Sequence, residues 1–258
     1  MKTFDLNCDL GEGAGQDEAI LPFITSANVA CGAHAGDPGT MRRISALAKS
    51  HGVAVGAHPG YADREGFGRR ELRLGTDEVH ALVQSQVRIL QGISEVRHVK
   101  THGALYTLAA RDRGVARAVA RAVRDCDPHL ILFAPSGSVQ LEEAEAAGLL
   151  VAREAFADRT YQRDGSLTPR TRPDAMIEDE KDVIAQVLSI ARTGTVRAVD
   201  GYVVNLGADT VCIHGDGANA TGFARRIRQA LVAEGLRLAP ALTSRSLGAA
   251  GTPGGGVA

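Results

Sequence analysis

Residues 4–13 read FDLNCDLGEG, and apolar and polar side chains alternate along them. Side chains on a β-strand point to opposite faces with a period of two residues, so this stretch predicts a short strand. An exposed strand with one face in water would show the same alternation. However, the polar positions are Asp5, Asn7 and Asp9, and carboxylates and amides are poor strand formers. Because the strand runs directly into a glycine turn that carries Glu12, we interpret it as one wall of a polar site.

The rest of the chain alternates between apolar strands and amphipathic helices. Compact apolar runs predict six more strands, at about residues 28–31, 53–58, 96–102, 130–134, 149–156 and 210–214. Helices are predicted after them, at about residues 38–50, 76–93, 103–125, 138–147, 179–191 and 218–234. Two long loops, residues 60–75 and 157–176, and a hairpin turn at residues 200–201 interrupt this pattern. Alternation of this kind indicates a parallel sheet with helical crossovers.

Polar residues cluster at the carboxyl ends of the predicted strands, which is where parallel sheets bind their ligands. A barrel collects those ends around one mouth, whereas an open sheet spreads them along an edge. We therefore favour a single α/β barrel over residues 1–242, followed by a flexible Gly- and Ala-rich tail at residues 243–258. The strand-end residues are Asp9, Glu12, His34, Asp37, His58, Lys100, His102, Glu154, Asp158, His214 and Asp216.

The composition excludes several classes of function. The chain has 258 residues and a formal net charge of −1, so it lacks the net positive charge that favours binding to nucleic acid or to an anionic membrane. No apolar run approaches the ~20 residues of a membrane span, and the first residues lack the apolar segment of a signal peptide. The four cysteines have no CxxC spacing, which favours reduced thiols in the cytoplasm. The GxxxxGK[ST] phosphate loop and the GxSxG serine elbow are both missing.

A mouth made of His, Asp, Glu and Lys suits three kinds of chemistry. One is general acid–base hydrolysis, in which one group activates water and another protonates the leaving nitrogen. The second is metal-assisted hydrolysis, for which the candidate ligands are His34, His58, His214 and Asp216. The third is binding of an anionic substrate by forked hydrogen bonds, for which the candidates are Arg69, Arg70, Arg159 and Arg170.

The histidines do not all point to function equally. A single histidine at a strand end is commonly a hydrogen-bonded structural residue, and His98 lies deeper in its strand than the others. His98 and His102 are four residues apart on one predicted strand, about 13 Å, which is too far to share an ion. No HxH or HxxxH pair joins two strand-end ligands, so a tightly bound metal is the weaker expectation.

Motifs from residue 5 to about residue 216 resemble the LamB/YcsF family. They are DLNCDLGEG (5–13), SANVACGAHAGDP (26–38), AHPGYAD (57–63) with GFGRR (66–70), HGALY (102–106), EAFADRTY (154–161) with DG (164–165), and CIHGD (212–216). The resemblance implies a (β/α)7-type, distorted TIM-like barrel related to polysaccharide deacetylases. It also implies cleavage of 5-oxo-L-proline to L-glutamate with ATP hydrolysis, in a complex with B and C subunits. Thr101 stands where the family usually has proline, and Asp174 stands near a usual glycine, which leaves the geometry of the second long loop open.

The residues are compatible with that reaction. A lactam amide is unreactive, so ATP must activate its carbonyl oxygen, and the missing phosphate loop predicts that partner subunits contribute to nucleotide handling. We expect Asp9, His58 or His102 to transfer protons and Lys100 to stabilise developing negative charge. The expected substrate contacts are Asn7, Glu12, Asn28, His34, Arg69, Arg70, Glu154, Asp158, Arg159, Arg170, His214 and Asp216.

Asp5 lies deepest in the first strand and is expected to be a structural partner, for example of Lys100. Two other functions stay open at this point. One is an autonomous metal-dependent deacetylase or amidohydrolase, which the His and Asp residues of the mouth suggest. The other is a non-catalytic subunit that binds the lactam for regulation.

Overall fold

The computed structural model describes residues 3–213 and 220–241. The strands in these residues are β1 Thr3–Leu10, β2 Ser26–Ala30, β3 Ala54–His58, β4 His98–Lys100, β5 Ile131–Pro135, β6 Leu150–Phe156, β7 Thr195–Arg197, β8 Val203–Asn205, β9 Thr210–Ile213 and β10 Arg237–Leu238. The α-helices are α1 Asp17–Ile20, α2 Pro38–Ser50, α3 Thr76–Gln91, α4 Gly103–Ala109, α5 Arg113–Cys126, α6 Val139–Ala146, α7 Glu180–Thr193 and α8 Ala220–Ala233.

Seven of the strands form a closed parallel barrel in the order β1-β2-β3-β4-β5-β6-β9. The barrel closes because β1 pairs with β2 along one edge and with β9 along the other. Asn7, for example, is in register with Ser26 on one side and with Cys212 on the other. Outside the barrel, β7 and β8 form the predicted antiparallel hairpin, and β10 pairs in parallel with the start of β1. The predicted seven-stranded, TIM-like barrel is confirmed.

The alternating side chains of β1 separate two environments. Leu6, Cys8 and Leu10 belong to the apolar core that also contains the inner faces of the surrounding helices. Each fully buried leucine of this kind contributes about 1.5–3 kcal/mol to folding. Asp5 and Asn7 are 0% exposed and make hydrogen bonds to side chains of other barrel strands. The interpretation of β1 as a wall of a polar interior is therefore correct, and the alternative of a strand with one face in water is wrong.

The helix boundaries follow local capping. The α2 helix begins at Pro38 as predicted, because the Asp37 side chain accepts hydrogen bonds from the backbone amides of residues 39 and 40. The helical region predicted over residues 103–125 is present, but it consists of two helices, α4 and α5, with a break between them. The Asp112 side chain accepts a hydrogen bond from the Val115 amide and begins the second helix there.

Some features escaped the sequence pattern or lie outside the described residues. The α1 helix and a 3-10 turn at Leu21–Phe23 were not predicted, because such short elements show no periodicity. The predicted site residues His214 and Asp216 and the predicted tail at residues 243–258 lie outside the described residues. Among the helices described, none has both the length and the apolar composition to cross a membrane.

Candidate active site at the barrel mouth

The carboxyl ends of the barrel strands bring nine of the predicted site residues together, and these sort into two contiguous groups. The first, here called the lysine network, consists of Asn7 and Asp9 on β1, Asn28 on β2, Lys100 at the end of β4 and Glu154 on β6. The second, here called the histidine cluster, consists of Glu12 in the turn after β1, His34 in the loop after β2, His58 at the end of β3 and His102 just before α4.

Lys100 is the centre of the lysine network. Its Nζ lies 2.9 Å from Asp9 Oδ1, 3.0 Å from Glu154 Oε1 and 3.0 Å from Cys212 Sγ, and the residue is 2% exposed. Burial alone would lower the pKa of Lys100, but the charge of Asp9 and the other neighbours outweighs it and raises the pKa well above its usual value. The network therefore holds a permanent cation between two carboxylates at the floor of the mouth.

Two amides connect the carboxylates of this network. Asn28 Nδ2 donates to Asn7 Oδ1 at 2.7 Å and to Asp9 Oδ1 at 2.8 Å. Asn7 Nδ2 in turn donates to Glu154 Oε1 at 2.9 Å and to Thr210 Oγ1 at 2.8 Å. Each buried donor thus meets an acceptor, which is the condition under which a buried polar network stabilises a fold.

The sequence reasoning missed two members of this environment. Tyr106 donates from its hydroxyl to Glu154 Oε2 at 2.6 Å, and Cys212 contacts the Lys100 ammonium. Tyr106 follows His102 by four residues and therefore lies on the same face of α4, which is the signal that could have identified it. Cys212 is in register with Asn7, an assignment that required the barrel to be closed.

The histidine cluster is a convergence of ligand-type atoms. Glu12 Oε1 lies 3.1 Å from His34 Nε2, 3.5 Å from His58 Nε2 and 3.0 Å from His102 Nδ1. The rings of His34 and His102 stack with centroids 3.8 Å apart. All three histidines are buried, with exposed fractions of 6% or less.

Backbone carbonyl groups fix the protonation of two of these rings. His58 Nδ1 lies 2.7 Å from the carbonyl oxygen of Lys100, and His102 Nε2 lies 2.8 Å from that of Phe67. A carbonyl oxygen only accepts, so both of these ring nitrogens carry a hydrogen. In the neutral rings, His58 Nε2 and His102 Nδ1 are therefore both lone-pair acceptors, and they face each other at 3.0 Å beside the Glu12 carboxylate.

This donor set fits a divalent metal. The four ligand atoms lie within 4.8 Å of one another, and imidazole and carboxylate are ordinary ligands of zinc and related ions. Histidine ligands usually donate their other nitrogen to a carbonyl or carboxylate, as His58 and His102 do. Of the predicted metal candidates, His34 and His58 belong to this group, while His214 and Asp216 lie outside the described residues. Glu12 and His102 were assigned other roles. The spacing argument considered only pairs within one segment, whereas each of these four residues comes from a different strand end.

Charge pairing sets the ionisation of the cluster. Burial alone would raise the pKa of Glu12, but the close contacts with the His102 and His34 rings outweigh it and lower the pKa to about 2. Burial lowers the pKa of His34 to about 4. Burial alone would lower the pKa of His58 as well, but the charge of Asp9 outweighs it and raises that pKa. At neutral pH Glu12 is thus an ionised carboxylate beside a neutral His34, and the carboxylate attracts positive charge.

Asp9 links the two groups. Its Oδ1 accepts hydrogen bonds from Lys100 and Asn28, and its Oδ2 lies 3.4 Å from His58 Nε2. Burial alone would raise the pKa of Asp9, but the charges of His58 and Lys100 outweigh it and hold the pKa well below its usual value. This carboxylate is therefore ionised. Because its side chain is 15% exposed, it is also reachable from the mouth.

Asp5 lies below the mouth and does not pair with Lys100, so that example of its structural role is wrong. Its carboxylate accepts hydrogen bonds from the hydroxyl groups of Thr25 at 2.5 Å, Ser26 at 2.8 Å and Thr210 at 2.6 Å. Burial is the largest influence on this group and raises its pKa to about 6. Lys100 reaches toward the open end of the barrel and pairs with Asp9 and Glu154 instead.

Two of the candidate arginines, Arg70 and Arg159, make their described polar contacts outside both groups. Arg70 forms an ion pair with Asp63, and the Arg69 guanidinium lies 5.0 Å from the centre of the Phe67 ring. Arg159 is 6% exposed and donates to the carbonyl oxygens of residues 168 and 175, so it braces its own loop. Burial, followed by the nearby charge of Arg170, lowers the pKa of Arg159 to about 10. Asp158 and Arg170 lie in the loop that follows β6.

Comparisons with known proteins add to this geometry. The model of the LamB/YcsF family matches residues 4–246. A protein of Bordetella pertussis (strain Tohama I), named as the A subunit of 5-oxoprolinase, is 53% identical over 246 residues, covering 92% of this chain and 98% of that protein. A protein of the same name from Geobacillus kaustophilus (strain HTA426) is 50% identical, with coverage of 92% and 96%. The crystal structure of a lactam utilization protein from Thermus thermophilus matches with a TM-score of 0.88 and 46% identity, covering 94% of this chain and 100% of that chain.

Proposed function

This chain belongs to the LamB/YcsF family, and we propose that it is the lactam-binding component, the A subunit, of an ATP-dependent 5-oxoprolinase. The reaction is hydrolysis of 5-oxo-L-proline to L-glutamate, with ATP converted to ADP and phosphate. The names of the relatives from Bordetella pertussis and Thermus thermophilus support this proposal. The observation that carries it is Lys100, a buried cation held between Asp9 and Glu154 at the mouth of the barrel.

The chemistry assigns one task to each charged group. Hydrolysis of a lactam places negative charge on its carbonyl oxygen, and the Lys100 ammonium supplies a fixed positive potential for that charge. Asp9 is ionised and lies at the junction of the two groups, so it accepts the proton of the attacking water. His58 receives that proton on Nε2, which lies 3.4 Å from Asp9 Oδ2, and passes it to His102 Nδ1 at 3.0 Å, from which it moves to the leaving nitrogen. The amides of Asn7 and Asn28 hold the carboxylates in place.

Partner subunits complete the proposed enzyme. The chain lacks a phosphate loop, so we assign nucleotide handling to B and C subunits that assemble with it. ATP is then a co-substrate of the complex, and this barrel holds the lactam. The four cysteines are free thiols, which is consistent with a complex located in the cytoplasm.

The histidine cluster is proposed to hold a divalent metal through Glu12 Oε1, His34 Nε2, His58 Nε2 and His102 Nδ1. Such an ion supplies Lewis-acid polarisation of a carbonyl group and a more acidic bound water. With these nitrogens engaged as ligands, His58 and His102 have no lone pair left for proton transfer, and that role falls to Asp9 alone. The metal-loaded and metal-free states thus differ in which of this chain's residues move protons.

The function is tested by co-expressing the chain with candidate B and C subunits and measuring glutamate released from 5-oxoproline and ATP. We expect release that requires all three chains. Lys100→Met should abolish it, because the replacement has a similar volume and no charge. Lys181→Met is the matched control, because Lys181 is exposed on α7. Equal release without this chain, or Lys100→Met activity within a few-fold of the unaltered complex, would contradict the proposal.

The metal is tested on the purified chain without partners. Elemental analysis should find about one divalent ion per chain, and chelator-treated protein should bind Zn²⁺ again in calorimetry. His34→Ala should lose this binding, whereas His80→Ala should keep it, because His80 is a partly buried histidine on α3 that pairs with Asp125, outside the histidine cluster. Failure of the unaltered chain to bind Zn²⁺, Mn²⁺, Co²⁺ or Ni²⁺ would exclude the metal and leave the lactam function standing.

The histidine cluster also favours one alternative, an autonomous metal-dependent amidohydrolase or deacetylase. Under that function, the isolated, metal-loaded chain would hydrolyse acetylated amides or 5-oxoproline without ATP and without partners. Activity that appears only with ATP and the other subunits would reject it. A regulatory subunit that binds the lactam without contributing to turnover is separated by the Lys100→Met complex, which in that case would keep its activity.

A further inference from the structure

His98 belongs to neither group, yet the side chains and backbone around it are closely fitted to its ring. The residue lies on β4, is 1% exposed and stacks on the Phe133 ring with centroids 4.2 Å apart. Its neighbour on β3 is Gly56, where an added Cβ would lie 2.1 Å from His98 Nε2. The barrel therefore accepts this ring only because residue 56 has no side chain.

The hydrogen bonds around Asn28 determine the orientation of its amide group. A carboxylate oxygen of ionised Asp9 can only accept, so the Asn28 atom at 2.8 Å from Asp9 Oδ1 is the NH2 group. The Asn28 carbonyl oxygen then points to His98 Nε2 at 2.7 Å. Since that oxygen can only accept, His98 carries its hydrogen on Nε2. Burial lowers the pKa of His98 to about 3, so the ring is neutral at physiological pH.

This hydrogen bond has a consequence for Asp9. Without a donor at residue 98, the Asn28 carbonyl oxygen would be left unpaired in a buried site, and nothing would hold that end of the amide in place. Because the NH2 group of the same amide donates to Asp9 Oδ1 and Asn7 Oδ1, a tilt of the amide toward another donor would move Asp9 from its present position. The same Asp9 oxygen is the one that accepts from Lys100. The hydrogen bond from His98 thus secures the arrangement of the residues that the proposed reaction uses.

We propose that His98 is a positioning residue that acts through the Asn28 amide to hold Asp9 at the junction of the lysine network and the histidine cluster. This role deepens the proposed function, and its expected effect on catalysis rests on that proposed function. A histidine that merely fills the core would matter for its volume and its stacking on Phe133. A positioning histidine matters for one hydrogen on Nε2.

The activity test compares substitutions that separate these two roles. His98→Leu keeps an apolar side chain of moderate size and removes the donor, whereas His98→Gln supplies an amide donor. We expect His98→Leu to lower kcat on the order of ten-fold in the reconstituted complex with little change in KM, and His98→Gln to recover most of that loss. Gly56→Ala should resemble His98→Leu, because its methyl group displaces the ring. Equal kcat in the Leu and Gln variants would assign His98 to packing alone.

A spectroscopic measurement tests the hydrogen bond independently of any activity. In the chain labelled with ¹⁵N-histidine, the His98 signals should show the neutral ring protonated on Nε2 and stay unchanged from pH 8 to pH 5. Asn28→Ala should shift these signals, whereas Asn205→Ala, at the outer hairpin, should not. A ring protonated on Nδ1, or one that titrates in this range, would overturn the proposal. If the unaltered complex proves inactive toward 5-oxoproline, the proposed function fails while this measurement still decides the role of the His98 hydrogen.

Discussion

The lysine network and the histidine cluster lie side by side at one barrel mouth, but their hydrogen bonding differs. In the lysine network, the Lys100 ammonium and the two amides each face acceptors, so the group is complete within the protein. In the histidine cluster, the lone pairs of His58 and His102 converge on the Glu12 carboxylate. The lysine network is thus a preorganised set of paired charges, whereas the histidine cluster is complementary to a cation. Asp9 contacts both, so each group can be altered separately and compared.

The largest effect is expected from breaking the lysine network. Lys100→Met leaves the carboxylates of Asp9 and Glu154 buried without their cation, and removal of one partner from a buried ion pair costs about 3–5 kcal/mol. Chemical denaturation of the isolated chain measures the free energy of unfolding. Lys181→Met, at an exposed site, should change it by less than about 0.5 kcal/mol. A loss for Lys100→Met no larger than that of this control would show that the network adds nothing to stability.

The next effect is a pH dependence that arises from Asp5, at the closed lower end of the same network. Its pKa is about 6 in the folded chain and 3.8 in the reference state, so the folded protein binds more protons between these values. Stability from this group is therefore full below pH 4 and falls as the pH rises to 6, by up to about 3 kcal/mol at a pKa difference of this size. Asp5→Asn should remove the fall. The measurement is the free energy of unfolding of the unaltered chain and of the Asp5→Asn chain from pH 4 to pH 7. A constant difference between the two chains over this range would disprove the raised pKa of Asp5.

The third prediction concerns stabilisation of the chain by a cation bound at the histidine cluster. Zn²⁺ at one hundred times its dissociation constant should stabilise the chain by about 2.7 kcal/mol, because the unfolded chain does not hold the four ligands together. His34→Ala should abolish this increase, and Tyr106→Phe, which alters only the lysine network, should keep it. Thermal or chemical unfolding with and without the ion gives the result. An equal increase in both variants would place the ion elsewhere.

The smallest expected effect comes from the edge of the lysine network. Tyr106→Phe removes the hydroxyl that donates to Glu154 Oε2, and a hydrogen bond to a charged group contributes about 1.5–3 kcal/mol before the remaining partner readjusts. We expect a loss near the lower end of this range, because Glu154 keeps Lys100 and Asn7 as partners. Equilibrium denaturation at pH 7 measures it. No loss would indicate that the Glu154 carboxylate finds another donor.

The sequence predicted the barrel and the inventory of its mouth because both depend on local patterns. Alternation along residues 4–10 placed Asp5, Asn7 and Asp9 on one face, and the strand ends identified Lys100 and His58. The partners of these residues depend on barrel closure, which joins strands that are distant in sequence. This is why Asp5 was assigned the wrong partner.

Other side chains escaped for related reasons. His102 and Glu12 come from different strand ends, so no short spacing reveals that they converge. Tyr106 lies on a helix that the sequence fused with the next one. His98 was discounted for its depth, but the interior of this barrel is polar at that depth. The arginines were selected by loop composition alone, and loop composition does not show whether a side chain points toward the barrel mouth.

The pairing of β10 with the start of β1 has a practical meaning for handling the protein. Thr3 and Phe4 lie in parallel register with Arg237 and Leu238, at the amino ends of the barrel strands. The candidate active site is at the carboxyl ends, on the opposite side of the barrel. A tether attached at Thr3, or a linker that joins Leu238 to Thr3 in a circular permutant, would therefore lie on the face opposite the candidate active site. The mouth would stay accessible on an immobilised chain, where capture of partner subunits could be measured directly.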